Sequence, residues 1–396
     1  FFAIFYGRMR DGGELLMPSS PGWLYRAALV AAPLSLLLLI GLDAQEPTET
    51  TRILMFTPTT EGNIYWPQVY TILEQAADDL GIELIPHEFD ITDRLAESTE
   101  AAAILETTPD VDGAILSVSA GQAYPLVQAA DRRGVPVIIQ GPLFETDLRL
   151  LGGEPRGRYP NWIATFEQEE EQKGYLLGRM LLDLASEQRT TGDRTTSELG
   201  VAGIGGDPSW YGTEERERGL MRAVREHPEA RLLQVVPTRW TEEEGVDAAR
   251  RLLRRYQNVS VIWAASDQLA LGASEAAEES GVVLGEDLWI GGLDLSRAGL
   301  AAVEEGTISA TASATLFSYA EILVYLYDYI HGVDFADEVG TELTFDIHAA
   351  DAGNADRYIT LYASLSEIDF SRFSKAHRTD LGVYDFSTEA LEAAIE

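Results

Sequence analysis

Val259-Ser-Val-Ile-Trp-Ala-Ala-Ser-Asp-Gln-Leu-Ala-Leu-Gly-Ala273 and Leu288-Trp-Ile-Gly-Gly-Leu-Asp294 decide how the chain is read. Each is a short apolar run that stops at a carboxylate just where a helix begins. Two such acids project into the crevice at the carboxyl edge of a parallel sheet, where open α/β folds bind ligands. Outward from them the pattern repeats. Upstream, residues 52–57 read as a strand and residues 66–80 as a helix, with apolar spacing through Val69, Ile72, Leu73, Ala76 and Leu80 and Gly81 as its stop. Strands at 83–88, 113–117 and 135–140 then alternate with helices at 93–107 and 121–133. The pattern pauses in the Gly- and Pro-containing residues 141–160 and resumes at Trp162. A second series places strands near 200–204, 232–237, 259–265, 289–293 and 309–313, with helices between them, including 268–280. Alternation of this kind predicts an α/β fold of two doubly wound parallel-sheet lobes with a ligand between them.

Composition narrows the function. The formal charge of −36, from 65 acids against 29 bases, excludes nucleic acid as a partner, since a binder must neutralise phosphates rather than repel them. It argues equally against an anionic membrane surface. Acid runs such as Glu167-Gln-Glu-Glu-Glu171 and Glu242-Glu-Glu244 read as solvated helix faces. With no cysteine, disulfides, thiol nucleophiles and cysteine-ligated metals are absent. From Met17 one basic residue, Arg26, precedes an apolar stretch and a small residue, Ala44, before polar sequence. That is the pattern of a cleavable signal peptide, with an uncleaved membrane anchor as the competing reading. Residues 1–44 are thus assigned to upstream sequence and leader, and the expected compartment is the periplasm.

Two further stretches carry binding chemistry. In Thr59-Thr-Glu-Gly-Asn63-Ile-Tyr65-Trp66 a polar loop ends in aromatics at a helix start. In Trp210-Tyr-Gly-Thr-Glu-Glu-Arg216-Glu-Arg218-Gly219 a glycine-bearing loop enters a helix with two arginines one turn in. Together with the strand ends at Asp267 and Asp294, these resemble the periplasmic sugar-binding proteins of the ribose-binding type, which have the type I periplasmic binding protein fold and share it with the effector domains of LacI-type repressors. The resemblance covers residues 52 to about 347. It implies three crossings between lobes, with hinges near Ala164, Ala314 and Thr344. The lobes are then 50–163 plus 315–343, and 164–314 plus 344–396 with an extended tail similar to that of autoinducer-2 receptors.

The same resemblance implies the site. Asn63 hydrogen-bonds ligand hydroxyls, and Tyr65 or Trp66 stacks on an apolar ring face, unless the two aromatics only staple the helix to its sheet. Arg216 forks onto ligand oxygens, a task suited to a planar guanidinium, with a surface ion pair to Glu214 or Glu215 as the alternative. Trp240 closes a sandwich against Tyr65 or Trp66, or is a core tryptophan. Ser266 and Asp267 end one strand and Asp294 another, as ligand acceptors or as helix caps. Gln140 is the polar candidate at the fourth strand end. Departures from the family pattern are Ala314, where a Gln or Arg faces the ligand, Leu293, where the autoinducer-2 receptors have Trp, and Gln140-Gly141 in place of Asp-Arg.

Signs of catalysis are lacking. The five histidines, His87, His227, His331, His348 and His377, have no metal spacing, and there is no nucleophile elbow or phosphate loop. Gly203-Ile-Gly205-Gly206 lacks the third glycine of a dinucleotide loop. The expected protein is a non-enzymatic solute receptor without cofactor. It captures a small carbohydrate and hands it to the membrane permease of an ABC importer, or alternatively serves a membrane sensor kinase or chemoreceptor.

Overall fold

The computed structural model describes residues 50–395 apart from 60–61, 90–93, 119–121 and 192–197. The leader reading of residues 17–44 falls outside them. Two six-stranded sheets organise the described chain. In the first, β1 (Thr51–Pro58) is central, flanked by β2 (Ile82–Phe89) and β3 (Gly113–Ser117), followed by β4 (Val137–Gln140) and β5 (Trp162–Phe166). Every pairing is parallel. A central parallel strand is covered on both faces, so the run Ile53-Leu-Met-Phe56 is apolar at each position and fully buried. β2 takes the edge, which is where its Pro86, with no N–H for a ladder, is tolerated.

The second sheet repeats the plan with β6 (Leu199–Ile204), β7 (Ala230–Val236), β8 (Val259–Ala264), β9 (Trp289–Leu293) and β10 (Ala310–Ala314) in the order β10-β9-β8-β6-β7. In each sheet the strand order reverses next to its first strand. That leaves a crevice between β1 and β3, and another between β6 and β8, at the carboxyl ends. The helices, all but the fourth from predicted patterns, are α1 (Trp66–Leu80), α2 (Arg94–Thr107), α3 (Ala123–Arg133), α4 (Glu145–Leu151), α5 (Glu170–Thr191), α6 (Tyr211–Glu226), α7 (Glu242–Arg255), α8 (Asp267–Glu279) and α9 (Arg297–Glu305). α1 buries Val69, Ile72, Leu73, Ala76 and Leu80, and ends on Gly81 at φ 70°, whose N–H meets the carbonyls of Ala77 and Asp78. α4 falls inside the segment expected to be a pause. Its Asp147 carboxylate accepts from the Phe144 amide, which holds a short helix that periodicity does not show.

The chain passes from the first sheet to the second through α5, and returns through α10 (Ser318–Ile330), which packs on β3 and β4. After the short α11 (Ala336–Val339), β11 (Glu342–Leu343) joins the first sheet beside β5. β12 (Ile347–Asp351) then joins the second, antiparallel to β10, and α12 (Ala355–Ala363) packs on α9. Beyond this the reading of residues 344–396 as part of the C-terminal lobe needs correcting. The chain crosses back: the Phe370 amide donates to Asp79 of α1 (2.9 Å). Fully buried Asp328 of α10 accepts from the amides of Lys375 (2.7 Å) and Ala376, the Ser374 hydroxyl and the Tyr384 hydroxyl (2.7 Å). α13 (Thr388–Glu392) ties the segment to α12 through Arg357, which bonds Glu389 and Glu392. The tail thus straps both lobes, anchored on one buried carboxylate.

Removing that carboxylate leaves several buried donors unpaired, each costing about 1–3 kcal/mol. Asp328→Ala is expected to lower unfolding free energy by about 3 kcal/mol or more and to make the segment after Ala363 a target for limited proteolysis, whereas an exposed control such as Asp337→Ala leaves both unchanged.

Candidate functional site

The cleft between the two sheets has a cavity of about 180 Å3, room for a small ligand but not for a polymer chain. Asn63, Tyr65, Trp66, Gln140, Arg216, Trp240, Ser266 and Asp294 all line it. Asp267 does not.

The C-terminal wall depends on how two helices touch. A Cβ at Gly174 of α5 would overlap the Arg216 backbone, and one at Gly219 of α6 would overlap the Glu171 backbone. Glycine at both places lets the helices meet main chain to main chain, which brings Glu170 at the start of α5 against Arg216. Arg216 Nε donates to Glu170 Oε2 (2.5 Å) and Nη1 to the Ala265 carbonyl (2.5 Å), with Asp294 Oδ1 at 3.8 Å from Nη1. Nη2 makes no hydrogen bond among the described residues. Lys173 Nζ, also buried, donates to Glu170 Oε1 (3.1 Å). Two sequence readings change here. Glu170, within the acid run read as solvated, is a buried ion-pair partner, and the arginine that pairs with Glu215 is Arg218, not Arg216.

Aromatics complete this wall. The Arg216 guanidinium carbon lies 4.9 Å from the centre of the Trp210 ring and 5.7 Å from that of Trp240, and the two indoles meet edge to face. Trp240 therefore packs with Trp210 and the arginine instead of standing alone in a sandwich. It reaches this position with φ of 74°, over Gly206, where any Cβ would overlap its ring. Asp294 at φ 125° and Leu295 at φ 52° are also in the left-handed half of conformational space. Strain of this kind, about 1–3 kcal/mol per residue, persists where surrounding structure fixes it, often at ligand sites.

The N-terminal wall is a hydrogen-bonded floor. Asn63 Oδ1 accepts from the amides of Tyr65 (2.7 Å) and Trp66 (3.0 Å), so it holds the start of α1 and keeps only Nδ2 for a ligand. Gln140 Nε2 donates to the hydroxyl of Tyr319 (2.9 Å), and Ser117 Oγ donates to Gln140 Oε1 (3.2 Å). Gln168, in the first crossing segment, also donates to Tyr319 through Nε2 (2.9 Å) while its Oε1 accepts from Lys173. The Tyr319 ring packs edge-on against Trp66 and Phe166. The sequence did not single out Tyr319 and Lys173 at all, quoted Trp210 only as the start of the arginine loop, and placed Gln168 and Glu170 in a solvated run. Tyr319 stands five residues beyond Ala314 and supplies from the first turn of α10 the polar group that the strand end lacks.

Asp267 is a correction. Fully buried, it accepts from the Ser296 amide (2.9 Å) and hydroxyl (2.7 Å) and from the Thr311 hydroxyl (2.6 Å), so it ties the end of β8 to the turn after β9 and to β10. The α8 cap is Ser266, whose Oγ accepts from the Leu269 amide (3.2 Å). Three contacts cross the cleft mouth and define a closed form: Gln268 Nε2 to the Gly62 carbonyl (3.1 Å), the Arg297 amide to Gln68 Oε1 (2.9 Å), and Phe144 against Tyr211.

Burial drives the electrostatics. Desolvation pushes the Asp294 carboxyl up to about 8, with the neighbouring Asp267 charge adding and Arg216 and Lys173 opposing. Desolvation likewise raises Asp267 to about 6 and Tyr319 to about 12. For Glu170 desolvation is the largest influence and acts upward, but Arg216 and Lys173 outweigh it and hold the carboxyl below its usual value. Among the described residues no group of three or more His, Cys, Asp or Glu could hold a metal ion, and no helix is long and apolar enough to cross a membrane.

The chain matches the sequence profile of the periplasmic binding protein domain over residues 54–331. It is 26% identical over 190 residues to the ribose import binding protein of Salmonella typhimurium, an alignment covering 47% of this chain and 62% of that protein. Its fold is similar to that of a periplasmic sugar-binding protein from Pseudomonas fluorescens, with a TM-score of 0.74 and 24% identity over 86% of this chain and 99% of the other. It is also similar to an ABC transporter periplasmic solute-binding protein from Actinobacillus succinogenes bound to D-allose, with a TM-score of 0.66 and 20% identity over 78% and 100%.

The raised Asp294 carboxyl gives a signed expectation. An unfolded aspartate titrates near 3.8 and the folded one near 8, so the folded state retains a proton that the unfolded state releases. That contribution to stability is complete below pH 4 and is lost as pH rises through 8. Thermal melts of Asp294→Asn and wild type between pH 4 and 9 should therefore diverge, the variant gaining relative to wild type as pH rises. A constant difference across that range would contradict the assignment.

Proposed function

The chain belongs to the periplasmic binding protein domain family, and from that premise we propose that it is a periplasmic, non-enzymatic receptor for a small polar solute, a sugar. One observation carries the reading: a cleft at the facing carboxyl edges of two doubly wound sheets, where indole and phenol faces surround hydrogen-bonding groups. Glu170 answers both Arg216 and Lys173, while Asp294, 3.8 Å from Arg216, can carry a proton. The aromatic rings offer faces to C–H groups, while Arg216 Nη2, Asn63 Nδ2 and Asp294 serve hydroxyls.

Capture follows from the hinge. Arg216 and Asp294 belong to one lobe, and Asn63, Trp66 and Gln140 to the other. A ligand that bonds both sets has its full affinity only for the closed form, and shifts the population toward it. The mouth contacts Gln268–Gly62 and Arg297–Gln68 are made in that form and label it for a membrane partner. The permease of an ABC importer is the proposed receiver. The docked tail, which reshapes the back of both lobes, supports a membrane sensor as the second reading, and the genes beside its own, permease and ATPase or kinase, separate the two.

Thermal melts of the protein from residue 45 onward against a panel of monosaccharides, polyols and autoinducer-2 test the reading. A ligand at a hundredfold excess over its Kd adds about 2.7 kcal/mol of stability, and a selective rise with one sugar is expected. With that sugar, Arg216→Lys should bind about 100-fold more weakly while folding normally, because an ammonium keeps the charge for Glu170 but cannot also serve a ligand. A flat panel would remove the sugar reading.

A further inference from the structure

We propose that Tyr319 is a specificity-determining residue of the cleft, presenting its hydroxyl proton to an acceptor oxygen of the ligand, and that Gln168, oriented by Lys173, positions that proton. The inference rests on the small-polar-ligand reading of the cleft and follows from counting donors and lone pairs. An ammonium donates only, so Lys173 must meet the oxygen of the Gln168 amide, as it does. The Gln168 NH2 is thereby turned toward Tyr319, 2.9 Å from its oxygen. On the other side the Gln140 NH2 faces the same phenol at 2.9 Å, with the Ser117 hydroxyl on the Gln140 oxygen.

Two amides fill the two lone pairs of the Tyr319 oxygen. Its proton must then be donated elsewhere. Tyr65 Oη, at 3.3 Å, is itself oriented as a donor toward Tyr319 and so does not take its proton. No other hydrogen-bonding group among the described residues meets this oxygen, and the residue lines the cavity. The proton therefore faces the ligand. A ring oxygen, ether, carbonyl or lone-pair-presenting hydroxyl satisfies it, whereas an apolar group or a cation there leaves it buried and unpaired. Sites built to hydrogen-bond a substrate group reject analogues lacking it by large factors, because their own polar groups are stranded.

The test uses Gln168→Glu and Tyr319→Phe with the sugar that the melting panel identifies. Gln168→Glu still accepts from Lys173, and more strongly, but its carboxylate cannot donate. The Tyr319 proton turns to that carboxylate and away from the ligand. The expected result is a melting temperature equal to or above wild type and a Kd raised at least tenfold. Tyr319→Phe keeps the ring on Trp66 and Phe166 and should raise Kd similarly. Deoxy and deoxyfluoro analogues give the finer reading. At one ligand position wild type should lose affinity for the deoxy form and tolerate fluorine, an acceptor only, while Tyr319→Phe discriminates neither.

Wild-type affinity in Gln168→Glu, or no position coupled to Tyr319, would overturn the inference while leaving the sugar reading intact. If no sugar binds wild type, the sugar reading fails by itself. The proton is then located in a high-resolution structure of the ligand-free protein, where a water 2.6–3.0 Å from Tyr319 Oη on the cleft side supports it and an oxygen bonded only to Gln140, Gln168 and Tyr65 refutes it.

Discussion

The buried ion cluster of Glu170, Arg216, Lys173 and Asp294 is the constraint on which the cleft depends. Taking charges out of water costs several kcal/mol per ion, recovered only if partners and hydrogen bonds are well placed. Here the recovery is arranged by backbone: Gly174 and Gly219 let α5 and α6 approach until Glu170 lies between the guanidinium and the ammonium. Glu170 answers both cations, so its carboxyl stays ionised despite burial. Asp294 is left with the weaker share of Arg216, at 3.8 Å, and burial wins there. The result is a wall of one fixed anion, two fixed cations and one carboxyl that can carry a proton.

That cluster also sits at the first passage between lobes. α5 starts four residues after β5 ends, so the anion that pairs Arg216 and the amide that touches Tyr319 are neighbours in sequence. A continuous path of hydrogen bonds runs from Gln140 and Tyr319 through Gln168, Lys173 and Glu170 to Arg216. It joins the floor of one lobe to the wall of the other through the hinge itself. Opening the lobes about this point can leave the path nearly intact while separating Gln268 from Gly62 and Arg297 from Gln68 at the far side. Rigidity at the hinge and weak polar contacts at the mouth are what a ligand-driven closure needs, since the mouth contacts alone must not hold the cleft shut.

Much of this was legible in the sequence because parallel strands buried on both faces leave an unbroken apolar signature. Residues 113–117 and 289–293 were bounded as the structure has them, and so was α1 at 66–80. Strand ends, where the chain must turn, also disclosed Gln140, Ser266 and Asp294 as cleft residues. What was hidden lies where one local pattern has two physical outcomes. Asp267 and Asp294 both follow apolar strands, yet one is spent on Ser296 and Thr311 while the other, at φ 125°, lines the cleft, a difference that residue type does not encode. Glu167 to Glu171 reads as solvated because its composition is that of a solvated face, while the contact that buries Glu170 comes from a helix some 45 residues away.

The tail shows the same limit at larger scale. Its buried apolar residues, Leu365, Ile368, Phe370 and Phe373, sit in and between short 3-10 segments with no helical or strand period, so the local pattern does not reveal what they cover. Their docking is specified by the receiving side: Asp328 projects from the apolar face of α10, and a carboxylate in that setting is costly unless donors are delivered to it. Ser374, Lys375, Ala376 and Tyr384 deliver them. A buried acid inside an otherwise apolar helix is therefore a sequence signal for a missing partner strand or loop, and in this chain the partner lies about 50 residues downstream. The same logic applies to Lys173, a buried cation in a helix packed against β8 and β9, whose partners line the cleft.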